Sequence, residues 1–261
     1  MATMTRVALI GALMMTATAC QQKAAAPAND AVANADVAST EPLNGTWKAD
    51  LASVKIDEKP TVVLLKDGIY TCSTCTPPLH VAADGAFHPV ADQPYYDSMS
   101  KTIVDANTVK TAVRKGDKQI SESTAVVSPD GKTLTTSWHQ TPVGQPAVSG
   151  TTIETRVDPA PAGAHAISGS WKTAKFEGIS EEALTVTFNV AGDTLTMQSP
   201  AGQSYTAKFG GPEVAIAGDP GGTMVKVERV APNIIRETNS RGGKVVNVTT
   251  TTAGADGKLS I

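Results

Sequence analysis

The residues best equipped for chemistry lie in one stretch: Cys72-Ser73-Thr74-Cys75, followed by His80 and His88. A Cys-x-x-Cys pair has three readings. As a redox dithiol it needs a helix N-terminus, whose partial positive charge lowers the thiol pKa. Here a strand-like Gly68-Ile69-Tyr70-Thr71 precedes it and Thr76-Pro77-Pro78 follows, so no helix is offered. As a structural disulfide it needs Ser73-Thr74 to turn tightly. Three steps of extended strand span about 10 Å, whereas bonded cysteines keep their Cα atoms within about 7 Å. As part of a Cys2His2 zinc set it would recruit His80 and His88, but at a loose spacing and against oxidation of the thiols. The sequence favours a Cys72–Cys75 disulfide. It leaves Cys72, Cys75, His80 and His88 as a weak metal set and redox activity as the remotest reading.

No other constellation suggests a reaction. The chain contains no Gly-x-Ser-x-Gly, no His-Glu-x-x-His and no glycine-rich phosphate loop between a strand and a helix. The expectation is a protein that is not an enzyme and carries no cofactor. Its formal charge is −3, without a Lys/Arg stripe, which argues against nucleic acid as a partner. Tyr95 and Tyr96, in the loop Pro94-Tyr95-Tyr96-Asp97, offer flat area with polar ends for a partner or a sugar ring; the alternative is packing over a barrel mouth. His139 and His165 stand alone and receive no role.

Arg6 is followed by a short apolar run, Val7 to Met15, and then by Thr16-Ala17-Thr18-Ala19-Cys20. A positive start, a brief apolar stretch and small residues before a cleavage point make an export signal, too short for the about 20 apolar residues that span a bilayer. The Cys at that point resembles the lipobox of bacterial lipoproteins, with Ala17 where Leu is commoner. The resemblance implies a signal peptide over 1–19, acylation of Cys20 (palmitate among the chains) and a membrane partner reached through lipid. With Gln21 rather than Asp after the Cys, it also implies the outer membrane, facing the periplasm. A lipidated Cys20 leaves Cys72 and Cys75 to pair with each other in a compartment where disulfides persist.

Behind that signal the elements fall into two linkers and two repeats. Residues 20–42 read as a flexible tether rich in Ala, Pro, Asn and Asp, and 158–166 as a second Pro/Ala/Gly linker. After each comes one phrase, Leu43-Asn44-Gly45-Thr46-Trp47-Lys48 and Ile167-Ser168-Gly169-Ser170-Trp171-Lys172. Farther on, Asn107 matches Asn233, 126 residues later, and at the same offset Gly116 meets Gly242 and Asp130-Gly131-Lys132 meets Asp256-Gly257-Lys258. The chain therefore divides into a domain over 43–157 and a second over 167–261.

Leu184 to Val190 alternates apolar and polar residues, as does Thr194 to Gln198, and Gly-containing turns separate such runs. The expected fold class is all-β: two tandem antiparallel meander barrels or barrel-like sheets. The opening Gly45-Thr46-Trp47 and Gly169-Ser170-Trp171 resemble the first-strand motif of lipocalins and related calycin barrels. That resemblance implies a Trp plugging the closed end and a basic residue from the last strand over its ring, with Arg156 the expected partner of Trp47. The whole chain is also similar to two-repeat envelope lipoproteins.

Copy two stops at Ile261, where copy one continues through Trp138 to Arg156, so it is expected to lack closing strands and a basic partner for Trp171. Either the chain is cut short, or copy two leans on copy one, or a partner supplies a strand. The functional expectation is an envelope lipoprotein that binds a small apolar ligand or an envelope protein. The alternative is an assembly role through an open sheet edge.

Overall fold

The computed structural model describes residues 41–56, 58–141 and 146–261; Cys20 and the export signal lie outside them. The all-β expectation holds: the strands form two nearly closed, barrel-like sheets of ten and nine strands. Among the described residues the only α-helix is one turn, α1 (Glu181–Leu184), which takes Leu184 out of the alternating run read from the sequence.

Copy one contributes β1 (Gly45–Ala49), β2 (Thr61–Lys66), β3 (Ile69–Cys72), β4 (Leu79–Ala82) and β5 (Asp84–Pro89). It continues through β6 (Ser98–Ile103), β7 (Thr108–Lys115), β8 (Lys118–Val127), β9 (Thr133–Gln140) and β10 (Val148–Asp158). Copy two contributes β11 (Gly169–Glu177), β12 (Thr185–Ala191), β13 (Thr194–Gln198), β14 (Ser204–Lys208) and β15 (Val214–Ala215). It ends with β16 (Met224–Ala231), β17 (Ile234–Arg241), β18 (Lys244–Ala253) and β19 (Lys258–Ser260).

The repeat is visible in the register. Val109 pairs with Ala125, and 126 residues later Ile235 pairs with Thr251. Even the β-bulge recurs, between Val113 and Arg114 and between Asn239 and Ser240. A bulge adds a residue to one strand and sharpens its twist, which curls a sheet toward closure.

The sheets do not follow the linear division at 158–166. The ten-stranded sheet runs β4-β3-β2-β11-β10-β9-β8-β7-β6-β5, so the first strand of copy two lies between β2 and β10 of copy one. The nine-stranded sheet runs β14-β13-β12-β1-β19-β18-β17-β16-β15, so the first strand of copy one lies inside copy two. The copies have exchanged opening strands. Barrel one is β2 to β11; barrel two is β12 to β19 closed by β1. Copy two does lean on copy one, and copy one leans on copy two.

Side chains just before the exchanged strands fasten them in place. Asn44 Oδ1 accepts from Val190 N at 2.5 Å, and in the other barrel Ser168 Oγ accepts from Leu65 N at 2.9 Å. Apolar residues at alternate positions fill each interior, with Leu65, Val109, Val127 and Trp171 in barrel one and Leu195, Val225, Val227 and Ile235 in barrel two. On the stretch returning from β11 toward barrel two, Ile179 and Ala183 pack on Trp138 and Val148. Gly150 makes room there, since a Cβ would lie 2.3 Å from Ile179 Cδ1 and 2.5 Å from the Trp138 ring.

Candidate functional site

The cysteines form a bonded pair. Cys72 ends β3 facing the core, the chain bends through Ser73-Thr74, and the Cα atoms of Cys72 and Cys75 stand 5.4 Å apart. The bend is tied to β2 twice: Ser73 N donates to Val62 O at 3.2 Å, and Thr74 Oγ1 accepts from Val62 N at 2.9 Å. Both sulfurs lie in the barrel-one core. His80, between buried Leu79 and Val81 on β4, points to the outer face. His88 pairs with Asp84 at 2.8 Å, and this bond holds the Asp84 carboxyl below its ordinary range. The four weak metal candidates are thus not gathered, and among the described residues no group of three His, Cys, Asp or Glu is arranged for a metal.

Arg156 does stack on an indole, but on that of Trp171 rather than Trp47. Its guanidinium carbon lies 4.0 Å from the Trp171 ring centre. The strand exchange explains the correction, because it places Arg156 of β10 in register with Trp171 of β11. The guanidinium donates to Ser168 O at 2.6 Å, to Ala166 O at 2.7 Å and to Gly131 O. Gly169, at φ +119°, leaves the space: a Cβ would sit 2.7 Å from Arg156 Nη1. Trp47 repeats half of this. Its Nε1 donates to Leu43 O at 2.8 Å, as Trp171 Nε1 does to Ile167 O at 2.8 Å. Among the described residues, however, no cation covers the Trp47 ring, and a Cβ on Gly45 would come nearest to the ring of Trp47, at 3.8 Å.

Tyr95 and Tyr96 are half-buried, and each packs within the chain. Tyr96 packs on the barrel-one core, and burial pushes its hydroxyl pKa up to about 12. Tyr95 bridges the barrels: its hydroxyl accepts from Arg241 Nη2 at 2.6 Å, and the guanidinium lies 5.1 Å from its ring centre. Gly221, the equivalent of Tyr95 at the 126-residue offset, presses on that ring; a Cβ there would be 2.7 Å from Tyr95 Cζ.

Two interior polar groups escaped the sequence reading. Lys101, 7% exposed, holds its Nζ 3.9 Å over the Tyr70 ring and donates to Thr111 Oγ1 at 2.8 Å. Burial pulls its pKa down to about 8. In barrel two the equivalents of Lys101 and Thr111 are Val227 and Glu237, again a cross-strand pair. Glu237 accepts a hydrogen bond from the Tyr205 hydroxyl, and burial raises its carboxyl pKa against the opposing pull of that bond. One barrel encloses a base and the other an acid, each beside a tyrosine. Repeat alignment alone pairs these positions, but only burial singles them out.

Neither group lines either of two clefts. A cleft of about 370 Å³ is lined by residues including Ile103, Ala106, His165 and Ala166, and one of about 530 Å³ by Glu41, Pro42, Arg229 and Pro232. These are one place in two copies, since Arg229 and Pro232 are the equivalents of Ile103 and Ala106. The cleft follows from the fold, and the copies line it with different chemistry.

The sharpest difference between the copies is at β18. In copy one, β8 is covered by β9 from Ser121↔Gln140 to Val127↔Leu134. In copy two, among the described residues, β19 covers β18 at Thr252↔Ser260 and Ala253↔Leu259, then pairs in parallel with Lys48 and Ala49 of β1. Ala253 N donates toward β17, to Asn233 O at 2.9 Å, and Gly254 N donates toward β19, to Lys258 O at 2.9 Å. Since alternate residues of a strand turn their peptide groups to opposite sides, Val248 and Thr250 direct N–H and C=O away from β17, to the side on which β19 is the one described strand. Val248 is 53% exposed. The equivalent residue on the covered strand is Glu122, so the open strand has an apolar residue where the covered one has a charge. Natural edges are usually guarded the other way, by charges that discourage pairing.

Comparison with known proteins finds no matching family model, no curated relative and no matching solved structure.

Proposed function

We propose that this chain is a non-enzymatic lipoprotein of the bacterial envelope, tethered to the outer membrane through Cys20, that binds a protein along the open edge of barrel two. The observation that carries the reading is that, among the described residues, β19 covers only the end of β18, with the peptide groups of Val248 and Thr250 turned away from β17 and no charge from Val245 to Thr252. An extended segment added there would satisfy those groups as β9 satisfies β8. The buried Cys72–Cys75 pair is in keeping with an oxidising compartment. Carriage of a small apolar ligand has less to support it, because the inward apolar side chains of barrel one pack into one cluster and the two open clefts are lined largely by loop residues.

The test uses the full chain in bacterial cells, with a photo-crosslinking residue at Thr250 or, as the covered counterpart, at Thr124. An adduct of defined mass is expected from position 250 and none from 124; no adduct at 250 overturns the reading. Separately, Cys20→Ala should move the chain from the membrane fraction to the soluble periplasm, and retention in the membrane would remove the lipid anchor.

A further inference from the structure

We infer that His165 is a pH-operated latch on the seam between β2 and β11 of barrel one: a proton on its Nδ1 releases Ile167 and loosens that seam. The latch is independent of the edge of β18.

The bonds of the ring fix its protonation. Nε2 lies 2.7 Å from Asp105 O, and a carbonyl only accepts, so Nε2 carries a hydrogen. Nδ1 lies 3.2 Å from Ile167 N, and a backbone amide only donates, so Nδ1 is bare. Neutral imidazole in that one tautomer satisfies both. A second proton would set N–H against N–H and cost Ile167 its bond. The ring is half-buried and lines the cleft of about 370 Å³, through which water reaches it. The charged groups that face it are Asp105 on the β6–β7 turn, Lys66 and Asp67 on the β2–β3 turn, and Arg156, which donates to Ala166 O at 2.7 Å. Two carboxylates balance two cations, so the surroundings raise no net charge against the proton.

The seam that the latch holds is short. Among the described residues, β2 and β11 pair at Gly169↔Val63, Ser170↔Val62 and Trp171↔Thr61, whereas β10 and β11 pair at seven positions. Next to those three, His165 N donates to Leu65 O at 2.9 Å, and Ser168 Oγ accepts from Leu65 N at 2.9 Å. The same segment supplies the carbonyls of the plug, since Trp171 Nε1 donates to Ile167 O and Arg156 donates to Ala166 O and Ser168 O. The latch recurs in barrel two with other chemistry. Leu43 matches Ile167, and at the same offset Glu41 matches His165. Glu41 Oε1 accepts from Leu43 N at 3.4 Å and from Arg229 Nη2. A carboxylate accepts there without a tautomer to choose, so the imidazole belongs to one copy alone.

The experiment follows amide hydrogen exchange in the full chain at about pH 7.5 and about pH 5.0, which bracket the protonation of imidazoles, each rate referred to its unstructured value at that pH. Ile167 N and Leu65 N should lose about tenfold in protection at the lower pH, the effect of roughly one hydrogen bond. Leu43 N, at the equivalent latch, should keep its protection. In His165→Asn the side-chain oxygen still accepts from the amide two residues on, as in an Asx turn, and takes up no proton, so Ile167 should be protected equally at both pH values. Unchanged protection of Ile167 in the unmodified chain overturns the latch. So does an equal loss at Leu43, or a loss that persists in the variant. Should the variant fail to fold, nitrogen-15 shifts of the His165 ring in the unmodified chain decide. Hydrogen on Nε2 alone at the higher pH and on both nitrogens at the lower supports the latch; hydrogen on Nδ1 at the higher pH, or a ring still neutral at the lower, overturns it.

Discussion

Trp171 and Trp47 occupy one position in two copies of one unit, yet they are held differently. Trp171 is 1% exposed and carries Arg156 on its face, and that arginine is locked by three carbonyls. Trp47 is half-buried, bonded through Nε1 to Leu43 O, and among the described residues has no cation over it. The wall differs in the same sense: barrel one is sealed by β9, β10 and β11, and barrel two is closed by short contacts of β1 and β19. Both copies share the plug and the register, and among the described residues β9 covers β8 along seven paired positions whereas β19 covers β18 at two.

The largest test of this comparison is a cut. Because opening strands are exchanged, residues 41–165 and 167–261 made separately should each show no cooperative unfolding, whereas 58–178, which holds every strand of barrel one, should unfold cooperatively in urea. Equal behaviour of the three pieces would break the exchange. Next in size, Trp171→Ala should cost about 3–5 kcal/mol and Trp47→Ala clearly less, since one indole is fully enclosed and the other is not. Denaturant midpoints that fall equally would make the two plugs equivalent.

The interiors differ in sign as well as in wall. Lys101 has a folded pKa near 8, below its unfolded value, so its burial is most costly below pH 8 and the cost fades as pH rises toward about 10.5. Lys101→Met should therefore stabilise the protein at pH 7 by roughly 1–3 kcal/mol and flatten the rise in stability between pH 8 and 10. A less stable variant at pH 7 would mean that the Tyr70 and Thr111 contacts outweigh burial. Glu237 pulls the opposite way at acid pH: its raised carboxyl favours the protonated folded state, so its contribution to stability falls as pH rises through that raised value. The smallest effect belongs to the disulfide. It closes a loop of only four residues, so replacing Cys72 and Cys75 by Ser should cost about 2 kcal/mol or less. A collapse of barrel one would assign the bond a larger task.

Alternation of apolar residues, Gly-containing turns and the 126-residue offset were enough to read strands, two copies and a turn between Cys72 and Cys75. These depend on the chain's own neighbours, where side-chain period and turn chemistry act. What stayed hidden was which copy each opening strand would join. Gly45-Thr46-Trp47 and Gly169-Ser170-Trp171 fit either barrel by local pattern, so linear order named Trp47 as the partner of Arg156, and the fold chose Trp171. The loop tyrosines show the same limit: packing was one of their two readings, but nothing local to Tyr95 pointed to the other barrel's Arg241 and Gly221.

The amino-acid order determined on its own the strand period, the duplication and the residues able to plug each barrel, because these are properties of short stretches repeated twice. Only the tertiary structure decided the exchange of opening strands, the inward place of Lys101 and Glu237, and how far β19 covers β18. Each of those depends on which distant strand supplies the missing hydrogen bonds, and backbone groups are chemically alike along the whole chain.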